Sequence, residues 1–77
     1  MPRFYFDFSE GDSHSEDDEG TDLPDLAEAR IEAIEALVAM GKDYRERVAS
    51  GLAVNIRDIT GKRLFRATLR ITLEDLT

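Results

Sequence analysis

The sequence predicts an α+β domain in which one long helix packs on one face of a small sheet of three to four strands. Three observations support this prediction: an alternating apolar and polar run at the start, a helical repeat in the middle, and two more alternating runs around a glycine-containing turn. The predicted order is strand, optional short strand, helix, strand, strand. A chain of 77 residues has room for a single domain, residues 1–77.

The first predicted element is a strand rich in phenylalanine. Phe4, Phe6 and Phe8 alternate with Tyr5 and Asp7, which is the period of a half-buried strand. The three phenylalanines are therefore predicted to face the core, and Asp7 to point away from the helix.

An acidic segment follows. Eight carboxylates and no lysine or arginine lie between Glu10 and Asp25. The run 9–20 has no periodicity, and like charges this close repel one another in a compact form. It is predicted to be a loop or a loosely ordered hairpin, which could include a short strand near His14 to Asp17.

The helix is predicted to begin in the segment LPDL, because Pro24 has a preset helical φ, and Asp22 or Asp25 can cap the free amides. It is expected to continue or kink to about Ala49, with Gly51 as the C-terminal cap. Apolar residues at helical spacing are predicted to face the sheet; they are Leu23, Ala27, Ile31, Ile34, Val38 and Gly41, flanked by Leu26, Leu37 and Met40.

Two alternating runs, 52–57 and 65–73, predict a hairpin, with the turn at 58–62 and Gly61 at positive φ. A right-handed crossover through the helix predicts that the first strand lies parallel to a strand of this hairpin. No helix remains to cover the second face of the sheet. That face is predicted to carry Tyr5, Asn55, Arg57, Arg66, Thr68, Arg70 and Thr72.

Composition excludes several classes of function. The net charge of −7 disfavours wholesale binding of nucleic acid. The stretch from Lys42 to Arg70 is nevertheless basic, with eight lysine or arginine residues and only three acidic residues. The chain has no cysteine and a single histidine, so neither a disulfide framework nor a structural zinc site is predicted. There is no apolar run of membrane-spanning length and no signal-peptide pattern, so we expect a soluble, unprocessed, cytoplasmic protein.

The acidic residues do not match a known metal or catalytic pattern. A calcium loop starting at Asp12 would place Asp17 where glycine is required and Leu23 where glutamate is required. An alternative is a metal-dependent hydrolase whose metal is held by Asp7 together with Asp22 or Asp25. Nothing in the spacing makes these carboxylates converge. We therefore predict no enzyme activity, no cofactor and no metal site.

A non-catalytic protein-interaction or regulatory module is the function that these patterns favour. The partner is expected to be a basic protein or a second copy of the chain in a homodimer, since a single helix on a small sheet buries a marginal core. An RNA-binding module that uses the basic sheet face is the alternative. The predicted contact residues are Glu16, Asp17, Asp18, Glu19, Arg57, Arg66 and Arg70.

Three segments carry a resemblance to known proteins: MPRFYFD, DDEGTDLPDLAEAR and LAVNIRDITGKRLFRATLRI. With them, essentially the whole chain resembles a family of short, uncharacterised proteins common in rhizobial and related alphaproteobacteria, a domain of unknown function. The loop, the segment LPDL and the alanine-rich helix are also similar to the HicB-like antitoxin domain. That resemblance implies a domain that binds and neutralises a partner protein, with the acidic loop as a contact for a basic toxin.

Overall fold

The computed structural model describes residues 1–43 and 51–77, which form a five-stranded sheet and one helix. The elements in chain order are β1 (Arg3–Glu10), β2 (Ser13–Ser15), β3 (Thr21–Asp22), α1 (Leu26–Asp43), β4 (Leu52–Arg57) and β5 (Arg63–Leu69). The prediction of an α+β domain with one helix is confirmed, and the sheet has one strand more than the largest number expected. The continuation of the helix to Ala49 lies outside the described residues.

Every strand pair in the described sheet is antiparallel. The order is β2-β1-β4-β5, and the two-residue β3 pairs with the start of β1 on the same side as β2. The predicted parallel crossover is therefore wrong. The chain between β1 and α1 runs back along β1, so the helix begins beside the start of β1 and ends beside its end. β4 then enters opposite Glu10 and must run antiparallel.

The core lies between the helix and one face of the sheet. Phe4 is buried and Phe6 and Phe8 pack against the buried cluster, as the alternation predicts. The strands contribute Leu52, Val54 and Ile56, all with no exposed surface.

The buried stripe of the helix is displaced from the predicted one toward its predicted flank. Leu37 is buried, and Leu23, Leu26 and Met40 pack against the core. Ala29, Ala33 and Leu37 face the sheet, whereas the side chains of Ile31, Ile34 and Val38 are 49%, 56% and 52% exposed. Two stripes of the same helix have apolar residues at helical spacing. The stripe with alanines packs inward because the strands already supply the bulky side chains, and small residues let the helix approach them closely.

Two predicted local signals, a helix cap in the LPDL segment and a positive φ at Gly61, are confirmed. Asp25 caps α1, since its Oδ1 accepts a hydrogen bond from the amide of Glu28 at 3.0 Å. In the β4–β5 turn, Gly61 has a φ of +90° and its amide donates to the carbonyl of Asp58. β5 ends at Leu69, before the predicted limit of 73, and Ile71 and Leu73 beyond it are exposed. Within the described residues, no helix combines the length and apolar character needed to cross a bilayer.

Candidate functional site

The acidic loop attaches to an interrupted edge of the sheet. β2 pairs with residues 8–10 of β1 and β3 pairs with Arg3 and Phe4. In the described part of the chain, the stretch of β1 between them has no neighbouring strand on this side. Residues 16–20 bridge this gap. Open backbone groups at a sheet edge need other partners.

Asp17 supplies those partners. Its Oδ2 accepts a hydrogen bond from the amide of Phe6 at 3.1 Å, and its Oδ1 accepts from the amides of Glu19 and Gly20, each at 3.0 Å. Burial raises the pKa of Asp17, but the three backbone hydrogen bonds and the charge of Arg57 outweigh it, so this pKa lies below its usual value. The carboxylate takes the place of the missing strand and closes the loop on itself.

Arg57 joins the loop to the open face of the sheet. Its Nε donates to Oδ2 of Asp7 at 2.7 Å, and its Nη2 donates to the backbone carbonyl of Asp17 at 2.6 Å. The guanidinium also lies over the ring of Tyr5, 4.5 Å from its centroid. Asp7 accepts in turn from the amide of Asp17 at 2.9 Å, so one carboxylate connects the strand, the arginine and the loop.

Arg3 holds the other end of the loop. Its guanidinium makes two contacts with the carboxylate of Asp22, at 2.9 and 3.3 Å, and donates to the carbonyl of Glu19 at 3.2 Å. Hydrogen bonding to Arg3, together with its charge, lowers the pKa of Asp22 despite an opposing effect of burial. Gly20 has a φ of +77°, and a Cβ there would lie 2.7 Å from Cγ of Arg3 and 3.0 Å from Cε2 of Tyr5.

A cleft of about 440 Å³ separates this anchored loop from the helix. Phe6, Phe8 and Ala36 give it an apolar floor. Exposed carboxylates form both walls; they are Glu16, Asp18 and Glu19 on the loop and Glu32 on the helix. An apolar floor between acidic walls suits a basic side chain, whose methylenes can lie on the aromatic rings while its charged group meets the carboxylates.

The seven predicted contact residues fall into three groups. Glu16, Asp18 and Glu19 line the cleft as exposed acids, while Asp17 and Arg57 hold the loop in place through internal contacts. Arg66 and Arg70 are exposed on the open face and line a separate depression of about 200 Å³ beside Gly51. The structure therefore does not gather all seven into one site.

The three carboxylates weighed as a hydrolase set have separate roles. Asp7 binds Arg57, Asp22 binds Arg3, and Asp25 caps the helix. Among the residues that the structure describes, no group of three or more histidine or acidic side chains is placed to hold a metal ion.

Sequence reasoning missed the anchoring role of Asp17 and the contribution of the helix to the cleft. A signal for the first was present, because Asp17 precedes Gly20 by three residues, and an aspartate before a glycine is typical of a side chain that accepts backbone hydrogen bonds in a turn. Glu32 and Ala36 gave no such signal, since their place in the cleft depends on which stripe of the helix is buried.

Comparison with known proteins gives a family but no activity. Residues 3–70 match the model of a domain of unknown function, DUF6894, and the chain belongs to that family. No curated protein and no solved structure shows significant similarity to it.

Proposed function

We propose that this domain is a non-catalytic protein-interaction module that takes a basic segment of a partner protein into the acidic cleft between the loop and α1. One observation carries the proposal: the acids around the loop have two distinct roles. Asp7, Asp17 and Asp22 accept internal hydrogen bonds, whereas four other acids that line the cleft are exposed; they are Glu16, Asp18, Glu19 and Glu32. The internal contacts thus fix a surface of exposed carboxylates, one of which, Glu16, also lies 3.5 Å from the guanidinium of Arg57.

The chemistry of the cleft specifies the class of ligand. A lysine or arginine can place its methylenes on Phe6 and Phe8 and reach Glu32 on one side and Asp18 on the other. Since the carboxylates are exposed, each ion pair contributes little alone, and the net charge of −7 mainly accelerates association with a basic partner. Binding is therefore expected to weaken as salt is raised.

The same reading extends to a regulatory role in the cytoplasm. A module that sequesters a basic protein is what the sequence resemblance of the loop and helix to HicB-like antitoxin domains implies. A bacterial source follows from the resemblance to the alphaproteobacterial proteins, and a cytoplasmic location is proposed from the absence of cysteine and of a signal-peptide pattern.

Titration with a basic peptide tests the proposal. A short peptide of arginine, lysine and alanine is added to the full chain at low salt, and amide shifts are followed by NMR. Saturable shifts are expected at Phe6, Phe8 and Glu32, and none with a peptide that has glutamine at the basic positions. The double variant Asp18→Asn, Glu32→Gln is expected to bind about three- to tenfold more weakly.

The matched control is Asp12→Asn, Glu74→Gln, which makes the same change in net charge at exposed positions that do not line the cleft. It is expected to bind the peptide nearly as well as the wild type. Equal weakening in both variants would show that only net charge matters and would overturn the proposal.

A second titration, with single-stranded RNA, tests the alternative function. Shifts centred on Arg66 and Arg70 would favour the nucleic-acid module over the protein module. Arg57 and Tyr5, which an RNA platform would also use, contact each other instead, and this favours the protein module.

A further inference from the structure

The exposed side of the helix is more apolar than a solvent-facing surface requires. Ile31, Ile34 and Val38 are about half exposed, while the buried stripe contains two alanines. The alanines inside match the bulky strand side chains, but large branched residues outside are not what a helix flank that meets only solvent needs. A contiguous apolar stripe of this kind marks an interaction surface.

This stripe lies on the β5 side of the helix. At 100° per residue, Ile31, Ile34 and Val38 lie about 100–160° around the helix from buried Ala33, in the same direction as Arg30. The guanidinium of Arg30 stands 5.6 Å from the ring centroid of Phe65 on β5. Glu32 and Ala36, on the opposite flank, line the acidic cleft at the other edge of the sheet.

β5 is itself an open edge. It pairs with β4 on one side, and in the described part of the chain no strand pairs with its other side. An exposed edge strand is a template for pairing with another chain. The apolar and polar alternation continues past Leu69 to Ile71, which is 51% exposed, so the edge offers an extended segment beside an apolar helix flank.

We propose that the chain forms a two-fold homodimer in which the β5 edges pair antiparallel and the Ile31, Ile34 and Val38 stripes of the two helices pack together. Neighbouring strands are about 4.8 Å apart, and α1 packs over β4 and β5. Two paired β5 strands would therefore place the helix axes about 10 Å apart, close to the 8–10 Å typical of packed helices. A single two-fold axis therefore brings together both the β5 edges and the apolar stripes of the two helices.

Charge complementarity favours a second copy as the occupant. In antiparallel helices centred near Ile34, Ile31 lies opposite Val38 of the partner subunit. Exposed Lys42 then lies beside Glu28 of the partner subunit, and the symmetric pair forms at the other end. Glu35 approaches its own copy only at the solvent-facing margin, where water screens the repulsion.

The register of the strands agrees with that centre. Arg30 is level with Phe65, and four helical residues advance about 6 Å, or about two strand residues. Ile34 is therefore level with Ala67, which becomes the centre of the strand pair. Arg66 then lies opposite Thr68 of the partner subunit, so no arginine of this run faces another directly.

Sedimentation equilibrium on the full chain at about 100 µM tests the dimer, since its population depends on concentration. The wild type is expected to be dimeric. Ile34→Glu is expected to raise the dissociation constant at least about 100-fold, because a charge would be buried at the two-fold axis. Ala39→Glu, on the other exposed flank of the same helix, is the matched control and is expected to leave the dimer intact.

Cross-linking gives a second measurement. The chain has no cysteine, so single Ile34→Cys and Ala67→Cys variants are each expected to form disulfide-linked dimers on mild oxidation, and Ala39→Cys is not. A monomeric wild type, or a dimer that survives Ile34→Glu, would overturn the proposal. Binding of the basic peptide by Ile34→Glu is expected to be unchanged, which separates this test from that of the cleft.

Discussion

Replacing Asp17 by alanine tests whether this side chain holds the acidic loop on the sheet. The substitution removes the acceptor of three backbone amides, at 3.0 to 3.1 Å. The amides of Phe6 and Gly20 are partly buried and that of Glu19 is exposed. Each partly buried hydrogen bond contributes about 1 kcal/mol and the exposed one less, so the free energy of unfolding is expected to fall by about 2–3 kcal/mol.

That loss is large for a domain of this size. At 0.05–0.15 kcal/mol per residue, the whole chain is expected to have a free energy of unfolding of about 4–12 kcal/mol. The midpoint of thermal unfolding should therefore fall by about 10–20 °C. Circular dichroism measures the midpoint, urea titration measures the free energy, and hydrogen exchange at the amide of Phe6 reports whether the loop itself opens.

The dependence on pH gives an independent check. The pKa of Asp17 is lowered in the folded state from an ordinary value of 3.8, so the unfolded chain takes up the proton first as pH falls. The stabilisation is fully present above pH 3.8 and is lost as pH falls through the lower folded-state pKa. The difference in stability between the wild type and Asp17→Asn should therefore shrink in acid below that value.

Asp18→Ala is the matched control, because its side chain is the exposed neighbour in the same loop. Its effect is expected to stay within about 0.5 kcal/mol. If Asp17→Ala and Asp18→Ala have the same free energy of unfolding, the carboxylate of Asp17 does not anchor the loop.

Three further substitutions test the fold around the site. Gly20→Ala should lower the free energy of unfolding in urea by about 1–3 kcal/mol more than Gly61→Ala does. Both glycines have positive φ, but only at Gly20 would a Cβ meet other side chains. Equal losses would refute the close contact. Ala33→Leu should destabilise the domain by about 2–3 kcal/mol, because Ala33 is buried against the sheet. Ala39→Leu, at an exposed position, should destabilise it by less than about 0.5 kcal/mol. The reverse order would refute the helix face that packs on the sheet. Arg57→Lys keeps the charge but not the planar fork that donates at two points, so the midpoint of thermal unfolding should fall, and an unchanged midpoint would show that charge alone suffices.

Features set by local chemistry were predictable from the sequence. The alternation of Phe4, Phe6 and Phe8, the cap at Asp25 and the positive φ of Gly61 depend on a few neighbouring residues, and each is found where the pattern places it. The fold class follows from the order of these elements.

Features set by tertiary packing were not. The helix has two apolar stripes, and the choice between them depends on the sizes of the strand side chains that it meets. The direction of β4 depends on the path of the acidic segment, which runs back along β1 before the helix begins. The contact between Arg57 and Asp7 joins residues 50 positions apart, and no local pattern connects them.

The exposed stripe of α1 carries Ile31, Ile34 and Val38 where a solvent-facing helix flank would carry polar residues. A helix that met only water on that flank would gain nothing from isoleucine at 31 and 34, since exposed branched side chains lower helix propensity and solubility. The acidic cleft and the apolar stripe lie on opposite flanks of α1. A dimer that covers the stripe would therefore leave both clefts open at its two outer edges. Two such clefts could bind two basic segments of one partner, with an apparent affinity above that of either alone.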